Sequence, residues 1–310
     1  MSTTRQTRGG LAAWCAGFIG ASRQLFVNVT TGDVHVGDGV TAGGFGGTGI
    51  LQRAKEYADT LYTVKPLAKG QINGLTVQNN ATDATNDLDV LSGAARDDTD
   101  AADIVLPLTT TKRLDANWAA GSGSGGLDTG VKANSTTYHV WLILNPTTDA
   151  VDVLFSASAT NPTMPSGFTQ KRRVSSIPVN SSGSFVAFKQ NGDYFGLVEP
   201  RSQYTGVNNG AVLRTLTDFP KGKKFKAHLA ITQSSVASAT SYFGIKDPDE
   251  GVATLVDWTS LSAAVNQPAG GPMEVYSNTV GQIYYYGQRA DTTVGSAYLK
   301  GWTDMRERTA

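Results

Sequence analysis

Tyr138-His-Val-Trp-Leu-Ile-Leu144 is the stretch that decides the fold class. It is apolar almost without interruption, and such a run reads as a β-strand covered on both faces. Pro146-Thr-Thr-Asp-Ala150 follows as a turn, and Val151 to Ser156 as the next strand. The pattern continues outward on both sides. Upstream lie Gly74–Gln78, closed by Asn79-Asn80, Asp87–Leu91, closed by Ser92-Gly93, and Ile104–Leu108. Lys112–Trp118 leads into Gly121-Ser-Gly-Ser-Gly-Gly126, which reads as a flexible loop. Downstream comes Ser184–Gln190 with its Gln190-Asn-Gly-Asp193 turn. Short strands at regular spacing with turn signals between them indicate a sandwich, here over residues 67–197.

Residues 198–310 repeat the style without repeating the sequence. Val212–Leu216, Lys226–Thr232, Ser241–Ile245, Met273–Ser277, Gln282–Gly287 and Ala297–Asp304 alternate with Gly, Ser, Asn and Pro turns. A second, jelly-roll-like sandwich is the expectation. Ile50 to Thr63 is the one stretch with helical period. Leu51, Ala54, Ala58 and Leu61 fall at heptad a and d positions, and Pro66 stops the run. Two heptads are too short to be stable alone, so the helix either packs on a sheet or joins copies of itself around a three-fold axis. Residues 1–48 form a small module ahead of it. Leu25–Thr30 and Val34–Val36 read as a hairpin about Thr31-Gly32-Asp33. The glycine-rich stretch Val40–Gly49 ends the module. The expected architecture is therefore mainly β: hairpin module 1–48, short helix 49–66, and β-sandwich domains at 67–197 and 198–310.

Composition agrees. Hydrophobic residues make up 40% of the 310 and charged residues only 17%, below the ~25% of ordinary domains. The 35 glycines belong to turns, and 11 Phe, 11 Tyr and 5 Trp provide enough apolar area to exclude disorder. The formal net charge is zero, so the electrostatic footprint of a nucleic-acid binder is missing. Lys171-Arg-Arg173 and Lys221-Gly-Lys-Lys224 read as solvated strand ends or loops. Cys15 is the only cysteine, which excludes an intrachain disulfide and is compatible with assembly in a reducing cytoplasm. The apolar run Leu11–Ala21 is far short of the ~20 residues of a membrane span. Its Trp14 and glycines make a poor leader, so it reads as core or subunit interface.

Catalytic chemistry finds little support. Val40–Gly49 has no following Lys-Ser or Lys-Thr and is not a P-loop. Gly121-Ser-Gly-Ser-Gly125 misses the spacing of a nucleophile elbow. The three histidines are scattered, and His139 and His228 read as packed strand residues. Asp97-Asp-Thr-Asp100-Ala-Ala-Asp103 concentrates carboxylates but lacks the spacing of a calcium loop, and reads as a solvated loop with Asx-turns. No catalytic residue, metal ligand or cofactor is assigned. The aromatic run is the remaining site candidate. Tyr284 and Tyr286 share one face of a strand and Tyr285 the other, and Tyr276 and Trp302 lie in the strand segments before and after it in the sequence. Tyr276, Tyr284, Tyr286 and Trp302 are therefore candidate sugar-stacking residues. Asn208-Asn-Gly210 and Asn266-Gln267 are candidate loops beside them.

Two segments carry a resemblance. The order Leu25-Phe-Val-Asn28, Thr31-Gly-Asp33, Val36-Gly-Asp-Gly-Val-Thr41 and Gly43-Gly44 resembles the small N-terminal domain of phage tail fibre and receptor-binding proteins of the major tropism determinant type. A second run of motifs resembles a module of phage tail and fibre proteins and spans about 115 residues. It includes Thr111-Lys-Arg-Leu-Asp-Ala-Asn-Trp118, Gly125-Gly-Leu-Asp-Thr-Gly130, Pro165-Ser-Gly-Phe-Thr169 and Asp193-Tyr-Phe195. What the resemblance implies is a virion structural protein without enzymatic activity. Residues 1–66 would attach to other virion proteins, Leu51, Ala54, Ala58 and Leu61 would line a homotrimer axis, and 198–310 would meet a host cell-surface glycan. No nucleic-acid partner and no membrane insertion is expected. A head fibre or capsid decoration protein, and a polysaccharide-degrading tail spike, are the alternatives.

Overall fold

The computed structural model describes residues 9–10, 25–28, 34–36, 66–206, 210–234, 241–250, 259–263, 268–288 and 294–306. It divides into two units, Met1–Lys65 and Pro66–Ala310. In the first, β2 (Leu25–Asn28) and β3 (Val34–Val36) pair antiparallel with Phe26 opposite His35, and β1 (Gly9–Gly10) adds in parallel beside β2. The expected hairpin is thus present at the level of its strands, with β2 ending at Asn28 rather than Thr30. Leu51, Ala54, Ala58 and Leu61, and the helix expected to carry them, lie outside the described residues.

The second unit is built from short strands in four sheets. The chain runs β4 (Ile72–Gly74), β5 (Val77–Asn79), β6 (Asp87–Val90), β7 (Gly93–Arg96), β8 (Asp103–Leu106) and β9 (Thr110–Asn117). Next are β10 (Ser124–Leu127), β11 (Thr137–Asn145), β12 (Ala150–Ser156), β13 (Gln170–Pro178), β14 (Phe188–Asn191) and β15 (Tyr194–Gly206). It finishes with β16 (Gly210–Thr215), β17 (Lys226–Ser234), β18 (Ser241–Lys246), β19 (Thr259–Ala263), β20 (Pro268–Tyr276), β21 (Gln282–Gln288) and β22 (Val294–Thr303). The described strands order as β13-β11-β12-β10-β9-β6-β5, β4-β7-β8, β14-β15-β22-β17-β20 and β16-β21-β18-β19.

The decisive strand, β11, lies between β12 and β13, antiparallel to both. Its two faces are buried differently. Tyr138, Val140, Leu142 and Leu144 enter the main core. Trp141 and Ile143 join Leu154 in a second cluster, closed by Trp118, Met164 and Phe168. The Trp118 and Phe168 rings meet edge-on at 5.4 Å, and Trp118 Nε1 donates to the Val153 carbonyl. This lid is why the strand shows no polar alternation.

The glycine-rich stretch expected to be a flexible loop is in part a strand. β10 inserts between β9 and β12, parallel to both. Only glycine fits there: a Cβ on Gly125 would lie 2.0 Å from the Asn117 carbonyl oxygen. The preceding turn is anchored from below. The buried Lys112 Nζ donates to the carbonyls of Ala119 (2.7 Å) and Gly121 (2.9 Å) and pairs with Asp152 (2.9 Å).

The five- and four-stranded sheets face each other. Tyr204 of β15 stacks on Tyr285 of β21 at 5.8 Å and approaches Phe243 of β18 at 6.1 Å. The expected boundary at 197/198 falls inside β15. That strand and β14 both belong to the sheet of the C-terminal β22, and buried hydrophobics from Ile72 to Trp302 form one continuous cluster. A buried ionic hub ties the chain end to β13. Arg173 grips Asp304 with two bonds of 2.6 and 3.0 Å, while Arg172 donates to the carbonyls of Gly70 and Arg306.

Candidate binding face

The structure sends the four candidate aromatics to three places. Tyr276 ends β20 on the outer face of the five-stranded sheet and is 41% exposed. Tyr284 and Tyr286 are half-buried on the outer face of the four-stranded sheet, in register with Leu213 and Ala211, while Tyr285 points into the core. Trp302 is fully buried. Its ring stacks on Phe195 at 5.4 Å with an interplanar angle of 1°, so it is core, not a sugar-stacking surface. A bulge explains the correction. Strict alternation would put Trp302 with Tyr298 and Lys300 on the outer side of β22, but Lys300 is an extra residue in the register with β17. The phase therefore shifts, and Trp302 joins Leu299 on the inner side while Thr303 faces out.

Around Tyr276 the outer face gathers side chains from four strands. Lys226 and His228 come from β17, Glu274 from β20, Tyr194 from β15 and Thr303 from β22. Registers explain the meeting: His228 lies opposite Glu274, Lys226 opposite both Tyr276 and Thr303, and Tyr194 opposite Thr303. Lys226 Nζ lies 3.3 Å from Glu274 Oε2 and 5.4 Å from the Tyr276 ring centroid. The Tyr194 ring meets His228 edge-on at 4.9 Å. Two glycines make room for that ring. A Cβ on Gly196 would lie 3.0 Å from its Cε1, and one on Gly301 2.9 Å from its hydroxyl.

His228 links a carboxylate to a hydroxyl. Its Nδ1 is 3.1 Å from Glu274 Oε1 and its Nε2 2.7 Å from Thr303 Oγ1. Burial, and then the Lys226 charge, lowers the imidazole pKa, against the pull of Glu274. The ring is therefore neutral at pH 7. Since a carboxylate only accepts, Nδ1 carries the proton and Nε2 accepts from Thr303. This is the order of a nucleophile–base–acid relay; acyl transfer would also need backbone donors aimed at a developing oxyanion. Thr303 lies in a strand paired on both sides, on an open sheet face. What the arrangement offers is recognition: ring faces, an acceptor, a cation and an oriented imidazole within a few ångströms. Exposed ion pairs and cation–π contacts contribute only ~0–1 kcal/mol each, so the cluster adds little to stability.

The carboxylates of 97–103 are each occupied. Asp97 accepts from the amides of Thr99, Ala101 and Ala102, Asp98 pairs with Lys171, and Asp100 and Asp103 both pair with Arg96. Among the described residues no group of three or more His, Cys, Asp or Glu is placed to hold a metal ion. No described helix is long and apolar enough to cross a membrane.

No family model matches the chain, and no curated protein matches it. Among solved structures, it is similar to the Major Tropism Determinant U1 variant at 16% identity and a TM-score of 0.26, over 66% of this chain and 46% of that one. The P3c variant gives 15% identity and a TM-score of 0.25 over 66% and 52%. A Bacillus thuringiensis Cry1Da tryptic core variant gives 10% identity and a TM-score of 0.20 over 80% and 54%. The chain spans about half the length of the solved structures it matches. Similarity at this level assigns neither a fold family nor an activity.

Proposed function

We propose that the chain is a bacteriophage virion protein of the fibre or spike type, attached to the particle through residues 1–66 and contributing to host-surface adhesion. One observation carries the reading. Tyr194, Lys226, His228, Glu274 and Tyr276 are gathered on one outer sheet face where they do little for stability. Such a face suits stacking on sugar rings and bonding of their hydroxyls. The motif order at 25–44 and 79–195 supplies the virion setting. A homotrimer joined through Leu51, Ala54, Ala58 and Leu61 would present three such faces, and multivalency raises weak single contacts by ~10²–10⁴.

The experiment is adhesion of the labelled full-length chain to a panel of bacterial cells. Tyr276→Ala with His228→Ala is expected to lower binding at least tenfold at unchanged circular dichroism. Binding that survives both substitutions would refute this face as the adhesive surface. Absence of binding to every strain would favour a head fibre or decoration role. Light scattering on the purified chain is expected to give about three times its 32.6 kDa, and a stable monomer would remove the trimer.

A further inference from the structure

A second concavity lies where β11 begins and β13 ends. Residues 135–137 and 178–181 form one wall, and the connection 215–221 forms the other. The cleft holds about 230 Å³, below the ~300–1,000 Å³ of sites for drug-sized ligands and on the scale of one ring. Its floor is apolar: Val179, Leu216 and Phe219 are all at most 2% exposed. Its rim carries the hydroxyl residues Ser135, Thr136, Ser181, Thr215 and Thr217.

The walls are held from behind. Gln203 grips Thr217 by backbone alone, accepting from its amide at 2.6 Å and donating to its carbonyl at 3.1 Å. The Lys221 amide donates to Thr137 Oγ1 at 2.9 Å. Ser135 (φ 53°) and Asp218 (φ 55°) both sit in the left-handed region, a strained state that persists only where surrounding structure imposes it.

Charge decides the ligand. Asp218 is neutralised by Arg201 Nε at 3.0 Å. Among the described residues no carboxylate pairs with the half-buried Lys221, so its ammonium is the cleft's uncompensated charge. An apolar floor takes the C–H face of a sugar, a hydroxyl rim takes its hydroxyls, and a lone cation takes an anionic substituent. A single ammonium is a point charge for either a carboxylate or a phosphate, and one such charge beside a ring-sized apolar floor fits a singly charged sugar acid better than a doubly charged phosphate. We infer that this cleft binds a single carboxylated sugar ring, a uronate or sialate-type residue, with Lys221 facing its carboxylate. The inference rests on the adhesion reading only for the source of that sugar, a host-surface glycan.

The test is calorimetric titration of the full chain with a glucuronate-terminated oligosaccharide, sialyllactose, and the neutral glucose-terminated counterpart. At least one acidic sugar is expected to bind about tenfold more tightly than the neutral one. Lys221→Met is expected to abolish that preference, and Thr217→Val to weaken acidic and neutral sugars alike. Thr217 is exposed and Lys221 half-buried, and both substitutions leave the backbone bonds in place, with folding checked by circular dichroism. Equal binding of acidic and neutral sugars, binding of none, or a preference that survives Lys221→Met would overturn the inference. Cell adhesion measured in parallel separates the two claims. Adhesion that is unaffected by Lys221→Met, with no sugar bound, sinks the cleft and leaves the adhesion reading standing. Sugar binding lost in Lys221→Met, with no cell bound by any form, does the reverse.

Discussion

Acidification from pH 7 to pH 5 is expected to cost this fold about 2 kcal/mol through one residue, His139. Its side chain is 1% exposed. Nδ1 lies 2.8 Å from Ser176 Oγ, and the backbone of Gly222 closes over Nε2, where a Cβ would stand only 2.8 Å away. Burial, and next the Arg173 charge, lowers the imidazole from 6.5 to about 3. The unfolded chain therefore takes up this proton below pH 6.5 while the folded chain does not. Stability is full above pH 6.5 and falls as pH drops toward 3, because the unfolded state binds more protons. One pH unit corresponds to about 1.4 kcal/mol, and roughly 1.5 units separate 6.5 from pH 5. The assay is urea unfolding at both pH values, followed by tryptophan fluorescence. Trp141 shares the β11 face of His139 and reports on the same sheet. His139→Gln keeps an amide for Ser176 but does not titrate. The variant should lose about 2 kcal/mol less than the parent between pH 7 and pH 5. His228 titrates in both proteins, so the difference isolates His139. Equal losses in parent and variant would refute the claim that His139 is held neutral.

Three further perturbations test the fold. Lys112→Met leaves Asp152 buried without its cation and should cost about 3–5 kcal/mol in urea unfolding. The same change frees Ala119 and Gly121, so limited proteolysis should begin cutting within 119–124. Gly125→Ala drives a methyl into the Asn117 carbonyl, and it should expel β10 from between β9 and β12, seen as lost β signal in circular dichroism or as insoluble product. Arg173→Met strands Asp304 at 1% exposure and should also cost about 3–5 kcal/mol, measured by denaturant midpoint at pH 7.

The strands were legible where burial leaves a local mark. Tyr138–Leu144 is apolar on both faces because two separate clusters cover it, and that doubled burial is written directly into consecutive residues. The hairpin at 25–36 was legible from its turn chemistry. Strand β10 was not, because its sequence, Ser-Gly-Gly-Leu, is what a mobile loop also looks like. Its glycines are there for close approach between backbones, and only the neighbouring strands reveal that need. The buried charges were hidden for a similar reason. Lys112, Arg172 and Arg173 look like surface residues until Asp152, Asp304 and the Arg306 carbonyl are placed beside them.

The outer face shows the limit most clearly. Period-two alternation puts Lys226 with His228, and Glu274 with Tyr276, on common faces of their own strands. It does not say that β17 pairs with β20, nor that β22 lies on the other side of β17. Tyr194 reaches His228 only because Gly196 and Gly301 leave a ledge for its ring, and those glycines are 105 positions apart in the sequence. Trp302 was misplaced by the same gap in knowledge. Its strand slips by one residue at Lys300, a bulge that only the register with β17 reveals, and that slip turns Trp302 inward. Recognition surfaces on sheets are assembled by register between strands far apart in the chain. A single substitution at Gly196 therefore tests register as well as chemistry, because the Cβ of Gly196→Ala would meet the Tyr194 ring at 3.0 Å, before any backbone atom. It alters no polar group, yet it would push that ring away from His228 and should weaken adhesion as much as removing the imidazole.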